Sequence, residues 1–250
     1  MYKIYEKNLW NQIKDEKFPE HIGVILDGNR RWALTHYFTK LAGHKFGADK
    51  VEELIDWCLD LNVKTITLYV FSTENFNRPE IEVNKIMHLF DERLKNIFID
   101  ERVHKHRVQI KAIGRLNLLP ESTQKLISEV EKSTKEYTNH YLNLAIAYGG
   151  RAEIVDATKE IVEKVKEGKI KIDNIDEDTI EEHLYTAHLP KSEPDIIIRT
   201  SGEERLSGFL LWQGAYSELC FVDVFWPDFR RIDLWRAIRT HQHRERRRGI

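Results

Sequence analysis

The sequence predicts an α/β fold, a mostly parallel sheet with helices on its faces. Three observations carry this. Short aliphatic or β-branched runs alternate with longer segments of 3.6-residue period, the pattern of repeated strand–helix units. Runs such as Ile22–Leu26 are apolar throughout, as strands buried on both faces are. Several runs end in charged and hydrogen-bonding residues, which a parallel sheet would gather at one edge, where ligands bind. No linker or internal repeat divides the 250 residues, so one domain is expected.

Taken in order, residues 2–14 open the chain with Ile4, Tyr5, Leu9 and Ile13 on one helical face. Docking on the domain is the expected use of that face, ahead of contact with a membrane surface. Strands are expected at 22–26, 64–71, 107–113, 141–147, 195–199 and 218–224. Helices are expected at roughly 43–61, 80–104, 120–138, 150–167, 176–186 and 229–245. Pro120 before Glu121 and Ser122 suits the opening of a helix, and Gly168 suits the end of one. In helix 80–104, Val83, Ile86, Met87, Phe90, Leu94, Ile97 and Phe98 recur at helical spacing, which reads first as core packing.

Bulk properties exclude several classes. With 32% charged residues and 41% apolar ones, no run approaches the roughly 18–20 residues that cross a bilayer. Residues 1–17 lack the apolar core of a secretory signal. Cys58 and Cys220 lie in apolar patterns and read as buried thiols, so a cytoplasmic protein is expected. The formal net charge of −2 hides a basic C-terminus. Residues 229–250 carry eight arginines against Asp233 and Glu245, a local +6 that leaves −8 for the remainder. Such a run is solvated, binds phosphates or binds nucleic acid. The acidic remainder shows no nucleic-acid motif, so no nucleic-acid partner is expected.

Chemistry concentrates at four strand ends. Strand 22–26 delivers Asp27, followed by Gly28, Asn29, Arg30 and Arg31. An acid at that point caps a helix or, beside two guanidinium groups, holds a metal-bound phosphoester. FSTENFNRP (71–79) packs Ser72, Glu74, Asn75, Asn77 and Arg78 into a turn. RTSGEERLS (199–207) offers Arg199, Arg205 and Ser207 around Gly202, and strand 141–147 ends in YGGR. Planar guanidinium forks suit bidentate phosphate contacts, and together these loops hold more cationic donors than one monophosphate needs. Glu218 is a second candidate carboxylate, and His44 after Gly43 either donates to a phosphate or caps a helix. The His104–Lys105–His106 cluster reads as a solvated helix end.

HIGVILDGNRRWA (21–33), GHKFGA (43–48), LYVFSTENFNRP (68–79), NLAIAYGGRAEI (143–154), IIIRTSGEERLSGFLLWQGAYSEL (196–219) and FWPDF (225–229) together resemble the cis-prenyltransferase family, the undecaprenyl and dehydrodolichyl diphosphate synthase type. The resemblance runs from about residue 19 to the C-terminus and implies an N-terminal helix over 1–18 and a catalytic domain over 19–250. It implies a six-stranded parallel sheet, an elongated hydrophobic tunnel and a homodimer. The implied reaction adds isopentenyl diphosphate to an allylic diphosphate with Mg²⁺, forming Z double bonds, with brief membrane-surface contact at product release.

By the same resemblance, Asp27 is the essential acid and a Mg²⁺ ligand, with Glu218 as the second metal-associated carboxylate. Gly28, Asn29, Arg31 and His44 line the allylic diphosphate site. Ser72, Asn75 and Arg78 belong to a loop that closes over the reacting groups, with Asn75 implicated in catalysis. Arg199, Arg205 and Ser207 hold isopentenyl diphosphate. The motifs also place Arg30, Trp32, Lys40, Thr73, Glu74, Phe76 and Leu206 among the substrate-binding residues. Arg247-Arg248-Gly249 resembles a tail that reaches across the dimer. Lys40 stands where many members have arginine, and Phe76 where they have tryptophan. IGRLNLLP and the YKIYEKNL start look more like archaeal members, whose primer is often geranylgeranyl diphosphate rather than farnesyl diphosphate. An undecaprenyl-type product is expected. The alternatives are a short-chain enzyme of the same chemistry and a non-catalytic partner subunit of this fold.

Overall fold

A computed structural model describes residues 2–245, and of Tyr2, Lys3 and Glu245 the backbone only. The expected Arg247-Arg248-Gly249 motif lies outside the described residues. Six strands form one sheet: β1 (His21–Ile25), β2 (Thr65–Ser72), β3 (Val108–Ile113), β4 (His140–Tyr148), β5 (Ile196–Thr200) and β6 (Glu218–Val222), in the order β3-β4-β2-β1-β5-β6. Every pairing is parallel. All five residues of β1 and of β5 are buried, which is why those runs are apolar without alternation.

Helices cover both faces: α1 (Tyr2–Ile13), α2 (Asn29–Thr35), α3 (Lys40–Asp60), α4 (Glu80–Ile97), α5 (Glu101–Lys105), α6 (Glu121–Thr134), α7 (Gly150–Lys166), α8 (Glu177–Glu181) and α9 (Arg231–Glu245). The main core, centred on Val24, Leu68, Phe71, Leu94, Ile146 and Trp226, packs α3, α4, α6 and α9 on the sheet, and a smaller core around Tyr148, Phe209 and Leu210 fills under the loops after β5.

Where helices differ from expectation, local hydrogen bonding decides. Helix 80–104 is two helices, because Asp100 accepts from the Arg102 N–H at 2.9 Å and caps a new start. Of the segment 176–186 only Glu177–Glu181 is helical, since the buried Glu153 carboxylate takes the Tyr185 N–H at 3.0 Å. The first long helix begins at Lys40 rather than 43, with Thr39 accepting from the Ala42 N–H at 3.3 Å. The short α2 falls where no helix range was expected. Gly168, at φ +72, ends α7.

α1 lies on α9. Leu9 and Ile13 are buried, Trp10 meets Trp235 at 5.1 Å, and the Gln242 amide donates to the Ile13 carbonyl at 3.2 Å. Ile4 and Tyr5, expected on the same buried face, stay exposed, and Arg236 covers the Tyr5 ring at 5.1 Å. The described arginines of the basic segment bond to the protein itself: Arg231 to Glu6, Arg236 and Arg230 to Asp233, Arg239 to Gln12 and Arg244 to Glu218.

A chain of polar groups crosses the sheet. His21 Nε2 lies 2.8 Å from Thr67 Oγ1, the Asn143 amide donates to that hydroxyl at 3.3 Å, and His188 Nε2 donates to Asn143 Oδ1 at 2.9 Å. Burial holds both imidazoles at about 4. An unfolded chain protonates them from about 6.5 downwards, so between those values the unfolded state binds more protons and folding stability falls as pH falls. We expect the melting temperature to drop as pH goes from 6.5 to 4. His188→Gln, which keeps a donor to Asn143, should flatten that drop; an unchanged pH slope of Tm in the variant would contradict it.

Candidate active site

β1 lies at the centre, where the sheet reverses its winding between β2 and β5. Open α/β sheets leave a crevice outside the strand C-termini at that reversal. Asp27 stands two residues beyond β1, in the crevice. Its backbone is pinned by one side chain. The Asp27 N–H donates to Thr200 Oγ1 at 3.1 Å, and the Thr200 hydroxyl donates to the Asp27 carbonyl at 2.7 Å.

The chain then turns sharply at Gly28, φ +107, with the Phe225 backbone 3.1 Å from where a Cβ would stand. Only glycine fits there. The turn opens α2, whose Asn29 packs on Gly47 of α3. A Cβ on Gly47 would come within 2.2 Å of Asn29 Oδ1. The Trp226 indole N–H donates to the Gly47 carbonyl at 2.8 Å, and the Trp226 N–H donates to the Asp27 carbonyl at 3.0 Å. The FWPDF segment thus locks α2, α3 and Asp27 together.

Asp27, Gly28, Asn29, Arg30, Arg31, Lys40, His44 and Arg78 line one polar cavity. Arg199, only 5% exposed, bridges it to the next loop: one Nη donates to Asp27 Oδ2 at 2.8 Å, the other to Ser207 Oγ at 2.7 Å. Arg31 reaches Asp27 Oδ1 at 3.3 Å, donates to Ser201 Oγ at 2.7 Å and to Glu203 at 3.0 Å. Arg205 pairs with the same Glu203 at 2.6 Å. Burial pushes the Asp27 carboxyl up, but Arg199, Arg31 and Ser201 outweigh it and hold it below the ordinary range. Asp27 is therefore ionised at neutral pH. Burial, with Arg78 and Arg30, holds His44 below its ordinary range against the pull of Glu82.

Two acids here were not singled out from the sequence. Glu82, in the first turn of α4, gathers Arg78 at 3.4 Å and Arg30 and His44 at 3.5 Å. Glu203 gathers Arg31 and Arg205. Each carboxylate occupies the position of an anion among convergent cations. Glu82 lies four residues after Arg78, a spacing that faces it back onto the loop; Glu203 stands inside RTSGEERLS, next to the residues chosen. A third missed acid, Glu153, sits beneath. It is 1% exposed and accepts from the Tyr148 hydroxyl at 2.5 Å and the Gln213 amide at 3.0 Å. Above it, the Tyr69 hydroxyl donates to the Ser207 carbonyl at 3.3 Å, and the Gly150 N–H donates to the Gly208 carbonyl at 2.7 Å. These contacts fix the Arg205–Ser207 turn.

Other expected residues are placed differently. Asn75 Oδ1 accepts from the Ser72 N–H at 3.2 Å, so in this state the amide caps its own loop. Phe76 packs edge-on against Phe71 at 5.0 Å, Thr73 lies against Gly149, and Glu74 is exposed. Trp32 is buried under His36, Phe38 and Phe46 and lines neither cavity, so here it serves packing. Leu206 packs on the smaller core.

Glu218 does not join Asp27. It is the first residue of β6 and pairs in register with Ile196, which pairs with Ile22. Five residues of strand at about 3.3 Å each separate that level from Asp27. Glu218 lies at the opposite edge of the sheet, bound to Arg244 at 3.0 Å, so one chain cannot set both carboxylates on one ion.

From Leu26, Asn29 and His44 an apolar cavity runs down the sheet between α3 and α4. Val51, Ile55 and Leu59 of α3 face Ile86, Phe90, Leu94 and Ile97 of α4 across Leu68, Ile110 and Leu144. Met87 is buried in the core behind this wall, in the packing role its spacing suggested. The outer seam carries ion pairs, Arg93 with Glu52 and Asp49, and Arg102 with Asp56 at 2.9 Å.

Residues 25–249 match the sequence profile of the Prenyltransf family, described as "Putative undecaprenyl diphosphate synthase". The chain belongs to this family of prenyl transferases. It is 52% identical over 249 residues to a protein of Methanopyrus kandleri named tritrans,polycis-undecaprenyl-diphosphate synthase (geranylgeranyl-diphosphate specific), covering 100% of this chain and 91% of that one. A protein of the same name from Methanocaldococcus jannaschii is 52% identical, with 99% and 88% covered. The structure is similar to lavandulyl diphosphate synthase from Lavandula x intermedia in complex with dimethylallyl diphosphate: TM-score 0.86, 36% identity, 90% of this chain and 95% of that one covered. That enzyme thus shares the overall fold described here.

Arg199→Lys keeps the charge but loses the fork that spans Asp27 and Ser207. We expect prenyl transfer, read as kcat/KM, to fall roughly 100-fold, with the fold retained by circular dichroism. Near-normal kcat/KM would show that the fork is dispensable.

Proposed function

We propose that this enzyme is a cis-polyprenyl diphosphate synthase that extends geranylgeranyl diphosphate with isopentenyl diphosphate to an undecaprenyl-type length. The observation that carries this reading is a pair of adjoining cavities. A polar cavity with cations around Asp27 and an apolar cavity between α3 and α4 share Leu26, Asn29 and His44 as lining. A diphosphate head and an isoprenoid tail need those two environments in that order. The relatives' names supply the primer and the length.

In this reading the allylic diphosphate rests against Gly28, Asn29, Arg31, Lys40 and His44 with its tail in the cavity. The isopentenyl diphosphate rests on Arg199, Arg205 and Ser207. Ionisation of the allylic C–O bond puts charge on the leaving diphosphate, and donors already in place stabilise it without reorganisation. The turn at Gly28 adds helix-start N–H groups that lack intrahelical partners. An incoming diphosphate replaces Glu82 on Arg78, Arg30 and His44, and Glu203 on Arg31 and Arg205. Asn75 orients the reacting groups when its loop closes; an amide is too weak a base to take the proton, which passes to a diphosphate oxygen.

Mg²⁺ fits the donor set. Asp27 is an ionised, 28% exposed hard-oxygen ligand at the cavity, and among the described residues no cluster of three or more ligating side chains competes. One carboxylate plus substrate phosphates and water is a common Mg²⁺ site. When bound, Mg²⁺ supplies charge neutralisation at the diphosphates.

We further propose a homodimer, a cytoplasmic setting and brief membrane contact at product release. The position of β6 at the edge of the sheet, with its residues only half-buried, supports the first. The thiols Cys58 and Cys220 are unpaired. Among the described residues no helix is long and apolar enough to cross a membrane.

Incubation with labelled isopentenyl diphosphate, Mg²⁺ and a panel of allylic primers tests the reading. We expect Z-polyprenyl products, geranylgeranyl diphosphate preferred over farnesyl diphosphate, and no turnover with EDTA. Absence of transfer with every primer would revive the non-catalytic partner subunit, and products that stop after one or two additions the short-chain enzyme. Each five-carbon unit buries roughly 4 kcal/mol of apolar transfer energy, so length is set where the cavity closes. Leu94→Ala and Ile97→Ala should lengthen the products on thin-layer analysis; unchanged lengths in both would remove this wall as the ruler.

A further inference from the structure

Several large apolar residues outside the core are grouped. Leu34, Tyr37, Phe38, Leu41 and Phe46 are all exposed and lie at the end of α2, in the turn from α2 to α3 and in the first turns of α3. Tyr37 is 99% exposed. The patch is built rather than frayed. Phe38 meets Trp32 and Phe46 at 5.7 Å, and Phe46 meets the buried Trp32 at 4.9 Å. The Phe38 N–H donates to the Ala33 carbonyl at 2.8 Å. That turn holds Tyr37 at φ +57, a left-handed backbone uncommon for an aromatic residue, with its ring in solvent.

Charge selects the partner. From Gly28 to Ala48 there is no aspartate or glutamate, while Arg30, Arg31, Lys40 and Lys45 fall in that stretch. Lys40 and Lys45 are exposed beside the rings. Glu82, the carboxylate reaching this region from α4, is committed to Arg30, Arg78 and His44. Aromatic and aliphatic side chains interleaved with lysines match the interfacial layer of an anionic bilayer, where rings sit at headgroup level and ammonium groups meet phosphates. Leu34 and Lys40 also form the rim of the polar cavity.

We propose that residues 34–46 dock the mouth of the site on an anionic bilayer surface, placing the crevice where a lipid diphosphate can leave without crossing water. The product's part in this rests on the function proposed above; the docking does not.

The test is co-flotation of the full chain with vesicles of phosphatidylcholine alone or mixed with phosphatidylglycerol. The variant is Tyr37→Asn with Lys45→Glu; asparagine tolerates the left-handed backbone. The wild type should float with the anionic vesicles only, and less at high salt. The variant should lose about tenfold or more in vesicle affinity, given roughly fivefold per unit of charge, while prenyl transfer in vesicle-free detergent is unchanged. No flotation of the wild type, or equal flotation of the variant, would overturn the proposal. So would a variant whose main change is in oligomeric state by light scattering, which would assign the patch to a second copy. A chain that floats as expected but transfers no prenyl group would leave docking standing and remove the enzymatic reading.

Discussion

The ion pair between Arg199 and Asp27 is the interaction on which the site depends. It joins two adjacent strands at their C-terminal ends, where the sheet reverses its winding. Arg199 is almost fully buried, and its desolvation is tolerable only because both ends of the fork meet partners. In return it holds one carboxylate ionised and fixes the turn that carries Arg205 and Ser207. The neighbouring Thr200 clamps the backbone of Asp27, so the acid's position is set by the sheet rather than by a loop.

Around that pair the free protein has already collected its cations. Glu82 and Glu203 do for the guanidinium groups what the substrate's phosphates would do in the proposed function. Without them four arginines would repel one another around a neutral His44 in a half-buried cleft. With them part of that charge is offset before substrate arrives, and in the proposed function binding becomes an exchange of anions on a cleft that stays net positive.

The sheet was legible because parallel strands buried on both faces write themselves as apolar runs, and Ile22–Leu26 and Ile196–Ile198 are such runs. Asp27, Arg199 and Ser207 were legible as polar residues that follow them. What escaped was set by contacts distant in sequence. The break at Asp100 depends on its cap, and the early end of α8 depends on Glu153 reaching across from α7. Trp32 directly follows the charged pair Arg30 and Arg31 yet turns into an aromatic stack. The resemblance made Glu218 a partner for Asp27; the strand register shows that Glu218 opens its strand while Asp27 follows its own, so within one chain they lie at opposite edges of the sheet.

α3 carries Lys40 and His44 at its first turns and Val51, Ile55 and Leu59 farther along, all on one 21-residue helix. In the proposed function, head-group site and tail wall are therefore parts of one rod about 30 Å long. A chain whose diphosphate end is anchored at the start of that rod stays sheltered by it only for the rod's length. The helix acts as a measuring stick whose zero mark is the anion site, and Asn29 seated on Gly47 keeps that zero from sliding.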